Sequence, residues 1–146
     1  KLRKKSESPV SLCKDRIQGL LRQIAILRDG GCILRNSPES GRCNGYNKEG
    51  ELIYQYDHLI TRANSASYGV PDLGVCLCLG HHGGFKKWHK ERYDKIIKAL
   101  IDPKRVELWD RVEADSRPHP MGIYEWGIVE LGLKQELKSY QQTDAE

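Results

Sequence analysis

Four of the five histidines and two of the five cysteines fall in one stretch, YDHLITRANSASYGVPDLGVCLCLGHHGGFKKWH, from Tyr56 to His89. Phosphodiester hydrolysis needs a base that activates water and a cation that neutralises the leaving oxygen. A neutral imidazole suits the first role, because its pKa lies near working pH. A carboxylate with a second imidazole, leaving positions open for water and phosphate, suits the second. The pair Asp57-His58 offers one of each, and neighbours on a strand point to opposite faces, so the two cannot share a task. His82 supplies another imidazole, with His89 seven positions beyond it. Seven residues of straight helix rise about 10 Å, too far for both to hold one ion. The Gly83-Gly84 pair could loop the chain and bring His89 back as a third ligand.

A second donor set runs through the same region. Cys32, Cys43, Cys78 and His81 would form a Cys3His site, soft, closed and tetrahedral, of the kind that binds structural zinc. The two-residue spacer of Cys78-Leu79-Gly80-His81 is a good knuckle, whereas the gap from Cys32 to Cys43 is a poor one. Cys76 and Cys13 read as small buried hydrophobes, and His119, between two prolines, as a surface loop residue. The plainer account of the stretch is that Asp57 and His58 form a solvated strand end while the cysteines and His81 bind zinc structurally.

These residues need elements to position them. Cys13, Ile17, Leu20, Leu21, Ile24 and Leu27 recur at three- and four-residue steps, predicting an amphipathic helix over 11–29, capped by Ser11 and stopped by Asp29-Gly30-Gly31. Residues 36–50, NSPESGRCNGYNKEG, are turn chemistry throughout and predict a long loop. ELIYQYDHLI (51–60) and VCLCL (75–79) read as strands joined by a polar loop. A helix is expected from Phe85 to Leu100, with Tyr93, Ile96, Ile97 and Leu100 on one face. Asp102 and Pro103 supply an N-cap and first residue for another, through Glu113. A last helix, Tyr124 to Tyr140, turns Trp126, Val129, Leu133 and Leu137 inward. The fold class is α+β: a basic lead-in over 1–10, then one domain over 11–146, with a strand–strand–helix core at 51–101 and a helical segment at 103–140.

A chain of 146 residues can bury a real core, and 38% hydrophobic with 30% charged residues reads as globular. No apolar run approaches the roughly 20 residues of a membrane span, and KLRKKSESPV lacks the apolar centre of a signal peptide. An odd cysteine count without a secretory signal points to reduced thiols and a cytoplasmic location. The net charge of +4 and a pI of 8.8 allow a nucleic-acid partner. In FKKWHKERYDK, Lys86, Lys87, Lys90 and Arg92 alternate with Phe85, Trp88 and Tyr93, which suits DNA phosphates with nearby stacking. A helix with a wet basic face and a buried aromatic one explains the same run, and both hold if the basic face lies against DNA.

A strand ending in Asp-His, a loop, a short strand ending in Cys and a helix entered through His is the layout of a ββα-metal finger. Residues 56–89 resemble the HNH (His-Me finger) endonucleases, and about residues 10–140 resemble the phage NinG/Rap recombination nucleases. The residues that carry the resemblance are Gly31-Cys32, Tyr56-Asp57-His58, Arg62 and Leu77-Cys78-Leu79-Gly80-His81-His82. It implies cleavage of DNA, in that family of branched recombination intermediates, with Mg²⁺ or Mn²⁺. His58 would be the general base, Asp57 and His82 the metal ligands, and Arg62 a cation near the scissile phosphate. The chain departs from the pattern in three places. The usual HNH asparagine is Leu73 by spacing, with Asp72 beside it and Asn64 earlier in the loop. Arg35 stands three residues after Cys32, where relatives carry a second cysteine, and His82 stands where NinG/Rap proteins tend to carry asparagine. The rival expectations are a zinc-stabilised DNA-binding module without catalysis and a sequence-specific restriction or homing nuclease. A two-strand cut at a junction would favour a homodimer.

Overall fold

A two-stranded antiparallel hairpin, β1 (Tyr54–His58) and β2 (Gly74–Cys78), lies at the centre, in a register that pairs Tyr56 with Cys76 and His58 with Gly74. The computed structural model describes residues 8–115 and 117–144. Helix α1 (Pro9–Asp29) precedes the hairpin, and a single turn, α2 (Ser65–Tyr68), lies in the connection between its strands. After β2 come α3 (Leu79–Gly83), α4 (Phe85–Trp88), α5 (Lys90–Leu100), α6 (Pro103–Ala114) and α7 (Ile123–Asp144). The fold is α+β, a small hairpin-and-helix finger held between N-terminal and C-terminal helices. None of the described helices is long and apolar enough to cross a membrane.

The hairpin separates two apolar clusters. Val75 and Leu77 join Leu59, Leu73, Ile97, Ile101 and Trp109 on one side. Tyr56 and Cys76 join Ile17, Leu21 and Ile24 of α1 and Trp126, Leu133 and Leu137 of α7 on the other. Strand β2 is therefore buried at every position, which is why VCLCL is a continuous apolar run rather than an alternation. Removing Val75 or Leu77 from water contributes about 1.5–3 kcal/mol each.

Several boundaries differ from the sequence expectation: the strand expected over 51–60 is confined to Tyr54–His58, and the last helix runs from Ile123 to Asp144. The cap of α1 is Ser8, whose hydroxyl accepts from the Ser11 N–H at 3.1 Å, not Ser11 itself. Pro9 opens the helix, where its missing N–H costs nothing. The lead-in expected over 1–10 thus gives up Pro9 and Val10 to α1, and residues 1–7 lie outside the described residues. The helix expected over 85–100 begins earlier and is broken in two places, at Gly84 and at His89 (φ −134°, ψ 50°). A Cβ on Gly84 would stand 2.7 Å from the Gly80 carbonyl oxygen, so the first break has room only for glycine.

Polar contacts fasten α1 to its neighbours. Arg28 donates to the carbonyls of Pro71 and Gly74, each at 2.7 Å, and Asp29 accepts from the Cys76 N–H at 2.9 Å. Further along, Glu130 of α7 is buried against α1, where Arg16 grips both its oxygens at 2.9 and 3.1 Å. The Cys13 thiol donates to the same carboxylate, and Lys134 lies 3.3 Å from it. The Arg16 guanidinium holds Glu130 down at about 2.

The Tyr56 ring lies against the α-carbon of Gly74, in the space a Cβ would take. Gly74→Ala should lower unfolding stability by about 3 kcal/mol, read as a fall in denaturant midpoint. Glu130 has a folded pKa below its unfolded value of about 4.3, so its ionised form stabilises the fold above that value and the contribution fades as pH falls toward 2. The stability difference between wild type and Glu130→Gln should accordingly be full at pH 6 and shrink through that acid window, as measured by denaturant titrations at matched pH.

Candidate functional site

Four segments meet at the cysteine cluster. Cys32 sits in the turn after α1, Cys43 in the 36–50 loop, Cys78 at the end of β2 and His81 in α3. Their sulfurs lie 3.3, 3.8 and 3.2 Å from Nδ1 of His81, in that order, and all four donor atoms fall within 4.8 Å of one another. A tetrahedral ion with bonds of about 2.3 Å to sulfur and about 2.0 Å to nitrogen sets S···N edges of about 3.5 Å, which the observed distances bracket. Nε2 of His81 is 3.1 Å from the carbonyl oxygens of both Ser40 and Gly41. Carbonyls only accept, so Nε2 carries the proton and Nδ1 presents its lone pair to the sulfurs, the second contact that metal-binding histidines use to fix their tautomer. The cluster can hold a metal ion.

Backbone hydrogen bonds explain how Cys43 overcomes its poor spacing. Gly80 N–H donates to Asn44 O at 3.0 Å, Ile53 N–H to Gly45 O at 2.9 Å, and Leu79 N–H to Ile53 O at 2.9 Å, which fasten the loop over α3. The loop passes so close to Gly80 that a Cβ there would displace the Asn44 side chain. Burial raises the Cys32 thiol and pushes Cys43 up to about 12, with the neighbouring sulfurs adding to it. Thiols this crowded ionise together only around a cation.

The second constellation lies where β1 ends. Asp57 has no exposed surface. Its Oδ2 accepts from the Tyr93 hydroxyl of α5, and its Oδ1 from the Lys86 ammonium of α4. His82 of α3 places Nε2 3.6 Å from that same Oδ1. Burial lowers the His82 pKa more than Asp57 raises it, leaving a neutral imidazole with a lone pair to offer. Adjacent ligands of a six-coordinate ion with bonds of about 2.1 Å lie about 3 Å apart, so this oxygen and nitrogen suit a hard divalent ion after a small closure.

His58 points to the opposite face, as neighbours on a strand must. Its ring lies between Tyr56 and Tyr68, at centroid distances of 4.9 and 4.8 Å. Nε2 is 3.2 Å from the Tyr68 carbonyl, which fixes the proton on Nε2 and leaves Nδ1 as the basic nitrogen. Burial, followed by the nearby Arg62 cation, pushes His58 down to about 4. Despite their opposite directions, Asp57 and His58 both line one groove of about 670 Å³, shared with Arg62, His82 and Lys86 and walled by Gln18 and Arg22 of α1.

Three residues were candidates for the place of the HNH asparagine. Asn64 caps α2, its side chain accepting from the Ser67 N–H at 3.2 Å, and so shapes the turn that presents the Tyr68 carbonyl to His58. Leu73 is buried and has no polar side chain; its carbonyl accepts from the Leu59 N–H at 2.9 Å. Asp72 gives its carbonyl to Arg105.

Not every expected residue arrives. His89 is exposed, stacks on Phe85 at 5.3 Å, and lines a different cleft with Glu39, Trp88 and Arg92. The break of the helix at His89 turns it away from Asp57 and His82, which corrects the expectation of a third ligand. The four basic residues also divide. Lys86 turns into the groove, whereas Lys87 lies over Trp88, Lys90 pairs with Asp94, and Arg92 is exposed. Tyr68, Gln18 and Arg22 carry no signal in the sequence, and Tyr93, expected beside the basic run as a stacking aromatic, is fully buried instead. Tyr93 counted as one apolar residue of a helical face, and nothing local marks it as a partner for a carboxylate 36 residues away.

No protein-family model matches the chain, and neither curated proteins nor solved structures gave a match. Cys78→Ser should reduce bound metal well below one ion per chain in elemental analysis. It should also lower the thermal midpoint by about 10 °C, because binding energy at such a site is folding energy. Stripping metal from the wild type with a chelator should give the same shift.

Proposed function

We propose that the chain is a divalent-metal-dependent DNA endonuclease of the HNH type, with zinc at the Cys3His cluster as a structural ion. One observation carries the reading: a neutral His58 of fixed tautomer and the Asp57–His82 pair line the same groove, with Arg62 and Lys86 beside them. Zinc is favoured at the cluster by its soft donors, closed shell and carbonyl-fixed histidine. Mg²⁺ or Mn²⁺ is favoured at Asp57 and His82, a harder donor pair with open positions.

In this reading Nδ1 of His58 takes a proton from water as the water oxygen bonds to phosphorus and the bond to the 3′ oxygen breaks. Tyr68 holds the imidazole in place through its carbonyl. Arg62 lies against the charge that builds on the phosphoryl oxygens. A bound divalent ion supplies charge neutralisation at the leaving oxygen. Lys87 and Arg92, exposed outside the groove, suit the flanking phosphates, and a homodimer would suit two cuts. A preference for branched DNA rests on the resemblance to the NinG/Rap nucleases. A second reading, a zinc-stabilised DNA-binding module, draws support from the Lys86 ammonium already seated on Asp57.

Cleavage of a labelled four-way junction beside its linear duplex, in Mg²⁺ or Mn²⁺, tests the proposal. Wild type should cut the junction in preference to the duplex, and His58→Ala should be slower by 10²–10⁴ with DNA binding retained. Equal cutting of both substrates would remove the branched preference. Binding without cutting by wild type would select the non-catalytic module.

A further inference from the structure

Lys86 poses a problem for the groove it occupies. Its ammonium satisfies the one oxygen of Asp57 that also faces His82, so a divalent ion held by that pair and the lysine would compete for one atom. A buried carboxylate needs a partner, and the Lys86 ammonium is in contact with Asp57 whereas His82 stands 3.6 Å off. The Tyr93 hydroxyl occupies the other oxygen, leaving Lys86 as the only cation on Asp57 among the described residues. Lys86 is not locked in place: its side chain is 22% exposed and lines the groove, and its stem can carry the charge outward. What it lacks in the groove is an anion to meet. Asp57 apart, the residues that line the groove are neutral or cationic, Gln18, Arg22 and Arg62 among them.

We propose that Lys86 is a latch that couples divalent-metal binding to DNA. This rests on the nuclease reading of the same groove. Without DNA the ammonium stays on Asp57 and the ion binds weakly. A phosphodiester in the groove offers Lys86 a new counter-charge, draws it off Asp57 and frees the oxygen that the ion needs. Both ligands favour the open state, so each strengthens the other by the same factor. The lysine then sits on the phosphate, where its charge also serves the reaction.

The test measures Mn²⁺ binding by the resonance signal of the free ion, using full-length, zinc-loaded protein carrying His58→Ala so that DNA stays intact. Titrations are run with and without duplex DNA, subtracting Mn²⁺ taken up by DNA alone. With Lys86 present, DNA should tighten Mn²⁺ binding about tenfold or more. Adding Lys86→Met should give that tighter binding without DNA, and DNA should then add less than about threefold. Lys86→Gln should behave like Lys86→Met, and Lys86→Arg, which keeps the charge, should keep the weak binding and the coupling. Unchanged zinc content and thermal midpoint would show that the variants fold, and if the methionine variant does not, the glutamine variant decides. Mn²⁺ binding that ignores these substitutions would overturn the latch and leave the metal site standing. Absence of Mn²⁺ binding in every protein, with and without DNA, would overturn the latch together with the nuclease reading.

Discussion

A two-stranded hairpin has no core of its own and is marginal in water unless something covers it. Here both faces are covered, by α1 and α7 on one side and by α5 and α6 on the other. The rest of the architecture follows from that need. Burying β2 on both sides requires apolar residues at every position, a glycine where the Tyr56 ring crosses, and charged anchors such as Arg28 and Arg105 to satisfy carbonyls at its edge. The end of β1 is buried as well. Asp57 and His58 emerge there on opposite faces, each meeting a different layer: Asp57 the helix that carries Tyr93, His58 the turn that carries Tyr68.

The two candidate metal positions are mechanically joined. His81 and His82 are consecutive residues of one short helix, and the first completes the sulfur cluster while the second faces Asp57. Five residues of helix cannot hold an orientation unaided. The N–H of His81 bonds to the Cys78 sulfur at 3.4 Å, and the 36–50 loop clasps α3 from the other side. Whatever stabilises the cluster therefore also sets the direction of the imidazole next door.

Much of this was legible in the residue pattern. The periodicity of α1, the Asp102-Pro103 start of α6 and the continuous apolar run of β2 are local signals, and they appear where the pattern puts them. Cys78 and His81 were readable as a knuckle because their spacing is a helical turn after a strand. The convergence of Cys43 was not, since it depends on hydrogen bonds that close a long loop. His89 misled because seven residues look like two turns of one helix, and only the backbone at Gly84 and His89 shows three. Lys86 misled in another way: composition counts it among a basic face, and only the fold reveals a buried carboxylate for it to meet.

The grip of Arg16 and Cys13 on Glu130 joins groups more than a hundred residues apart in sequence. During synthesis, Tyr56 and Cys76 are made long before Trp126, Leu133 and Leu137, which complete their cover. At about 5–20 residues per second, one side of the hairpin waits some seconds with only α1 against it. The nascent chain thus passes through a half-clad stage with aromatic and thiol surface open to water. Helix α7 acts as the closing plate, and a chain interrupted before it lacks Trp126, Leu133 and Leu137 over Tyr56 and Cys76.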